Sequence, residues 1–202
     1  MVNNDIPEQL AVMALPGTIL FPSALLPLYI FEPRYREMLA RALAEERMFA
    51  IGMLSGDGDD EPVFEIGGAG LIRACVQNPD GTAHLVLQGV QRVRFVDWVT
   101  VRPYRIARVV PLESTNQKAD EAAKLAGLLR VLCNDLTDQG YALPPQFQTY
   151  LDQLDNPEAL GDLISSALIP DPILRQSLLQ ELDVPMRLKG LISSLKAHLK
   201  DG

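Results

Sequence analysis

From Leu10 to Leu112 large apolar residues mostly alternate with polar ones, whereas from about Glu113 they recur at every third or fourth position. The first pattern predicts strands and the second predicts helices. The chain therefore reads as a β-rich part followed by a helical part, an α+β arrangement by segregation. Strands are expected over 10–15, 22–30, 47–54, 64–76, 82–90, 92–101 and 104–112, and one helix, from Pro33 to about Glu46, is inserted early. A turn-rich run of at least six strands closes into a barrel or a sandwich.

The bends are marked by residue type. Pro16-Gly17 predicts a turn, because proline pre-sets φ and glycine is free to take positive φ. Pro22 and Pro27 confine the next run to an edge strand, a strand start or a bulge. Phe31-Glu32-Pro33 ends that run and opens a helix whose apolar face is Tyr35, Met38, Leu39, Ala42 and Leu43. Gly67, Gly68 and Gly70 do not form a GxGxxG fingerprint and open onto no helix, so they predict a bulge or a close backbone approach. Asn78-Pro79-Asp80-Gly81 is a hairpin turn. In the helical part, 113–116 reads as a linker with a cap, and Leu125, Leu128, Leu129, Leu132, Cys133 and Leu136 form one stripe. Gly140 ends that helix, Pro144-Pro145 starts another, and Asn156-Pro157 and Asp171-Pro172 each supply a cap and an N1 proline. The last helix starts near Asp183. Short connections predict a bundle, with domain limits at 1–113 and 114–202.

Composition narrows the partners more than the fold. The net charge is −8 over 202 residues and both halves share its sign, which opposes a nucleic-acid footprint. Arg92, Arg94, Arg102, Arg105 and Arg108 are a local exception, expected to be solvent-facing alternates of Val93, Phe95 and Ile106. Asp57, Asp59 and Asp60 lack EF-hand spacing and read as a solvated loop. Cys75 and Cys133 have no CxxC spacing and behave as small hydrophobes, so neither a disulfide framework nor a metal site is expected. No cofactor motif is present. The opening MVNNDIPEQL has no basic and apolar leader, and no apolar run reaches membrane-spanning length, so a cytoplasmic protein is expected.

The ordered pattern LPG…LFP…LPL.IFEPRYR.ML resembles the start of the amino-terminal substrate-binding domain of Lon proteases, and of short proteins that carry only that domain. The similarity continues through Ile66 to Phe95, with its glycines, the Asp80-Gly81 turn and Gly89 before Arg92. It extends to Pro144-Pro145, Asp155-Asn156-Pro157, Leu160-Gly161-Asp162 and Leu178-Leu179. The resemblance implies a PUA-like β-barrel followed by a helical subdomain. Full Lon proteases add a GxxxxGK[ST] phosphate loop and a Ser–Lys dyad; this chain has neither the loop motif nor the span for them, so no ATP-driven proteolysis is expected.

His84 and His198 lack a local catalytic partner, so no catalytic residue is assigned. The leading expectation is a non-catalytic module that binds unfolded or apolar polypeptide segments, or a protein partner. An edge strand interrupted by prolines could accept an extended peptide. The candidate binding residues are Glu32, Arg34, Tyr35 and Arg36 at the strand-to-helix junction, where a cap and a packed aromatic that position the helix are the competing reading. The alternatives are RNA binding through the arginines between Arg92 and Arg108, by analogy of the barrel, and a structural or adaptor protein acting as a dimer.

Overall fold

A computed structural model of the chain describes residues 6–56, 58, 61–138, 149–151 and 153–201. It divides into two compact units, Met1–Leu112 and Glu113–Gly202.

The first unit is a mixed sheet of six strands with one helix between the second and third: β1 (Gln9–Pro16), β2 (Leu25–Ile30), α1 (Pro33–Ala44), β3 (Met48–Leu54), β4 (Ile66–Gln77), β5 (Ala83–Thr100) and β6 (Arg105–Leu112). The strand order is β2-β5-β4-β3-β1-β6, and β5 also pairs with β6. The pairings β5, β4, β3, β1, β6 and back to β5 thus form a closed circuit, with β2 appended to β5. β1 and β3 are parallel because the chain returns through β2 and α1 between them; the other pairings are antiparallel.

The residues expected to form two strands, 82–90 and 92–101, are one long strand. At Gly89–Gln91 the ladder does not break: Gly89 faces Gly70 and Gln91 faces Ala69, which leaves Val90 as an extra residue in a bulge. The bulge changes which face each parity of side chain occupies. Before it, Leu85 and Leu87 join the cluster that α1 covers with Tyr35, Met38 and Leu39; after it, Val93 and Phe95 join the second cluster, with Val12, Ala50, Ala69 and Val109. Every residue of β3 is buried, since it has one cluster on each face. The bulge also overturns one expectation. Arg92 is not solvent-facing but 1% exposed, because the phase change turns it onto the α1-side face, where Gly68 and Gly89 also lie.

The close approach predicted for the glycines is present. A Cβ on Gly68 would lie 2.0 Å from the carbonyl oxygen of Leu20, and one on Gly89 would lie 2.0 Å from that of Phe21. The segment between β1 and β2 therefore lies flat on a strip of sheet without side chains. It is fixed there by hydrogen bonds from the Ser23 N–H to the Gly89 carbonyl and from the Gly89 N–H to the Ala24 carbonyl, both 2.9 Å. The strand expected from Pro22 begins only at Leu25, because 20–24 make this crossing instead.

In the second unit the described helices are α2 (Ala119–Asp138), α3 (Pro157–Leu168), α4 (Pro172–Gln180) and α5 (Val184–Asp201). Asn156 and Asp171 cap α3 and α4 as expected: each side-chain oxygen accepts from the two N–H groups that follow the N1 proline. Residues 113–116 are more than a linker. Thr115 bridges to Asp183, with its N–H on the Leu182 carbonyl (2.8 Å) and its carbonyl accepting from Val184 (2.9 Å). Arg187, 1% exposed, donates to Asp162 Oδ1 at 2.8 Å, to Ser114 Oγ at 2.7 Å and to the Glu181 carbonyl at 2.8 Å. The ends expected at Gly140 and Pro144-Pro145 lie outside the described residues.

Gly89→Ala is expected to lower the unfolding free energy, read from the urea midpoint, by about 3 kcal/mol, because the clash is with backbone that has no alternative rotamer. Gly127→Ala, at which a Cβ meets nothing within 4 Å, is the control. It should stabilise α2 by about 0.5–1 kcal/mol.

Candidate functional site

The four sequence-predicted residues divide between three environments. Glu32 is the N-cap of α1 by its backbone, with φ −66° and ψ 133°, but its side chain makes no cap bond. Its carbonyl accepts from Tyr35 (3.0 Å) and Arg36 (2.9 Å), and its carboxylate takes the Arg34 Nε at 2.8 Å and Nη2 at 2.7 Å. Arg34 in turn lies over the Tyr35 ring, its guanidinium carbon 4.6 Å from the ring centre. Tyr35 is buried, and its hydroxyl donates to the Ala14 carbonyl at 3.0 Å, which ties α1 to β1. Arg36 points elsewhere, over the hairpin between β4 and β5, where a Cβ on Gly81 would strike its guanidinium. Gly81 has φ +81°, so this turn needs glycine on both counts. In the same turn the Thr82 hydroxyl and then the Thr82 N–H hold the Asp80 carboxyl below the usual carboxylate range, and Arg36 adds to the effect.

A larger feature lies beside this junction, on the edge strand expected from its prolines. Among the described residues β2 pairs with β5 alone, which leaves its other edge without a strand. Along β2 the side chains alternate: Leu25, Pro27 and Tyr29 are exposed, Leu26 and Leu28 half-buried, and Ile30 buried. Register places Pro27 beside Val86 and Tyr29 beside His84, and these lie beside Ala74 and Val76 of β4. The result is an apolar face across β2, β5 and β4, with Leu25 62% and Val76 65% exposed. Tyr29 stacks on His84, with ring centres 4.6 Å apart, and on exposed Phe31 at 5.8 Å. The groove here, about 430 Å³, is lined by Pro27, Leu28, Tyr29, Ala74, Val76, His84, Leu85 and Val86, with no lysine, arginine or carboxylate among them. The alternation of Leu25, Pro27 and Tyr29 was its visible sign.

The arginines between Arg92 and Arg108 do not form one basic surface. Arg92 is buried, Arg94 pairs with Glu65 at 2.9 Å, and Arg108 pairs with Glu8 at 3.5 Å. Arg105 donates to the Glu61 carbonyl at 2.9 Å. The Asp57, Asp59 and Asp60 side of the acidic loop and the His198 side chain lie outside what is described. Cys75 is half-buried and Cys133 buried, both as free thiols.

The profile of the ATP-dependent protease La (LON) substrate-binding domain matches residues 9–197. The chain belongs to that family. It is 28% identical to the Lon protease of Dictyoglomus thermophilum, an alignment that covers 97% of this chain and 25% of that protein. To the Lon protease of Desulfosudis oleivorans it is 24% identical, over 98% of this chain and 25% of the relative. The chain thus spans about a quarter of the length of these relatives. Among solved structures, the N-terminal domain of the Mycobacterium avium complex Lon protease superposes with a TM-score of 0.75 at 21% identity, covering 94% of this chain and 99% of that one. The Lon N-terminal domain protein from Xanthomonas campestris gives 0.66 at 22% identity, covering 92% and 97%. These structures share the fold of this Lon-family chain. Among its described residues, no helix is long and apolar enough to cross a membrane.

In this Lon-family chain Tyr35→Phe is expected to cost about 1 kcal/mol, the net value of the hydrogen bond to Ala14. Arg36→Ala, at an exposed position, should change stability by less than about 0.5 kcal/mol. Thermal unfolding followed by circular dichroism separates the two outcomes.

Proposed function

We propose that this chain is a non-catalytic polypeptide-binding module that holds unfolded or apolar segments on the face formed by β2, β5 and β4. The observation that carries this reading is the apolar groove, lined by no lysine, arginine or carboxylate, beside a strand edge that no described strand pairs. An extended segment gains main-chain hydrogen bonds from the β2 edge, and its apolar side chains are removed from water against Leu25, Tyr29 and Val76. The family match is to the substrate-binding domain, and that role is carried here as part of the reading.

In this reading Glu32, next to Phe31 in the chain, and Arg36, at the hairpin, supply charge beside this face, and Arg34 acts through its ion pair with Glu32. Tyr35 acts from beneath, by holding α1 on β1. The closed circuit of strands corresponds to the PUA-like barrel, and the division into a barrel of 1–113 and a helical subdomain of 114–202 belongs to the same reading, as does a cytoplasmic setting. RNA binding draws no support from the arginines, which are buried or paired with acids or held on a backbone carbonyl at Arg92, Arg94, Arg108 and Arg105.

The test is binding of a labelled, permanently unfolded polypeptide, with its native form as control, at about 50 mM and 500 mM salt. The unfolded form should bind preferentially, with affinity changing less than about threefold between the two, whereas binding through phosphate-like charge contacts would fall by orders of magnitude. Tyr29→Ser should weaken binding about tenfold, as loss of a central aromatic anchor does. No preference for the unfolded form, or full affinity in Tyr29→Ser, overturns the reading. Mass measured across concentrations in the same samples reports whether a dimer forms.

A further inference from the structure

The main-chain groups of β2 alternate in direction, as its side chains do. The Gly89 N–H donates to the Ala24 carbonyl at 2.9 Å, so Ala24 turns its carbonyl toward β5. The same parity continues through Leu26, Leu28 and Ile30, which face Leu87, Leu85 and Ala83. Leu25, Pro27 and Tyr29 therefore turn their main-chain groups the other way, to the side on which no described strand lies. Pro27 is the exception within this set, since proline has a carbonyl and no N–H. The three outward-facing residues thus offer three acceptors but only two donors, those of Leu25 and Tyr29. β2 carries no charged residue, so proline is the one device on the strand itself that blunts its edge.

The missing donor counts differently for different partners. A second copy of the chain, related by a two-fold axis, brings its own β2 antiparallel to the first. In the register of longest overlap Leu25 faces Tyr29 of the second copy and Pro27 faces Pro27, where two carbonyls meet and both hydrogen bonds of the pair are lost. Registers shifted by two residues set Pro27 against Leu25 or Tyr29, which removes one bond from each of two symmetric pairs and shortens the overlap. An extended segment of another polypeptide loses less. Its residue opposite Pro27 still donates to the Pro27 carbonyl, and only its own carbonyl lacks a donor.

We propose that Pro27 sets the specificity of the β2 edge: it disfavours pairing with β2 of a second copy and leaves the edge able to take an extended segment of another polypeptide. The docking of such a segment rests on the proposed function above, whereas protection from self-pairing rests on the edge alone.

Pro27→Ala restores the third donor. Pro27 is exposed and its neighbours Leu26 and Leu28 carry the pairing with β5, so the ladder is kept. Sedimentation of the full chain across concentrations reads self-association. The labelled, permanently unfolded polypeptide reads guest binding, at protein concentrations below self-association. In Pro27→Ala the self-association constant should rise about 25-fold over the wild type, since two hydrogen bonds are regained, and the polypeptide affinity about fivefold, for one. Leu25→Pro in the Pro27→Ala background puts a proline back among the outward-facing residues and should return self-association to the wild-type value. Unchanged self-association in Pro27→Ala, or a rise that Leu25→Pro does not reverse, overturns the protective role. Polypeptide affinity that is the same in the wild type and Pro27→Ala overturns docking at the edge. A wild type that binds no polypeptide sinks the proposed function and that docking with it, while a reversible rise in self-association still supports the protective role.

Discussion

The first unit depends on one steric constraint: the backbone of Leu20 and Phe21 lies against the backbone of β4 and β5, in a space that any side chain at Gly68 or Gly89 would fill. The crossing carries the chain from β1 to β2 over a sheet surface, with Leu20 and Phe21 themselves buried. It therefore sets where β2 can begin and which part of β5 it meets. Had the strip carried side chains, the crossing would have been pushed outward by several ångströms, and the pairing of Leu25 with Gln88 and Tyr29 with His84 would lose its anchor.

The length of β5 follows from the same region. Its first part pairs with β2 and β4 and its last part with β6, so one strand both supports β2 and closes the circuit. The bulge at Val90 lets it serve two cores, since the change of phase moves the buried parity from the α1 cluster to the inner cluster. It also buries Arg92 and disperses the arginines that follow. The exposed apolar face and the contact of Trp98 with Arg105 are thus different products of a single strand. Its β2-paired end presents His84 and Val86 to the groove, and its β6-paired end brings Trp98 beside Arg105.

In the second unit, specificity comes from a buried charge. Arg187 is satisfied by Asp162 of α3, Ser114 of the incoming segment and the backbone of Glu181. Desolvating an ion pair adds little net stability, but leaving either partner alone is costly, so the network admits one arrangement of these segments. The incoming segment is thereby fixed at both Ser114 and Thr115.

By itself the sequence determined the features that depend on neighbours along the chain. These are the β-rich and helical halves, the inserted helix α1, the Asn78–Gly81 turn, the proline-marked caps at Asn156 and Asp171, and the family, through its ordered prolines and glycines. It also indicated that the glycines of β4 accommodate a close approach, because a side-chain-free strip in a strand has few other uses. Only the tertiary structure decided what approaches them, that Gly89–Gln91 is a bulge within one strand, and that Tyr35 is an internal tie while Tyr29 faces outward. Register turns Tyr29 outward, and the side on which α1 lies decides that the Tyr35 hydroxyl reaches Ala14. The pairing of Arg187 with Asp162 and Ser114 and the meeting of Arg34 with Arg105 around one cavity were illegible for the same reason: in the first case the partners lie 25 and 73 positions away. Local periodicity carries no information about contacts formed only when distant segments close on one another.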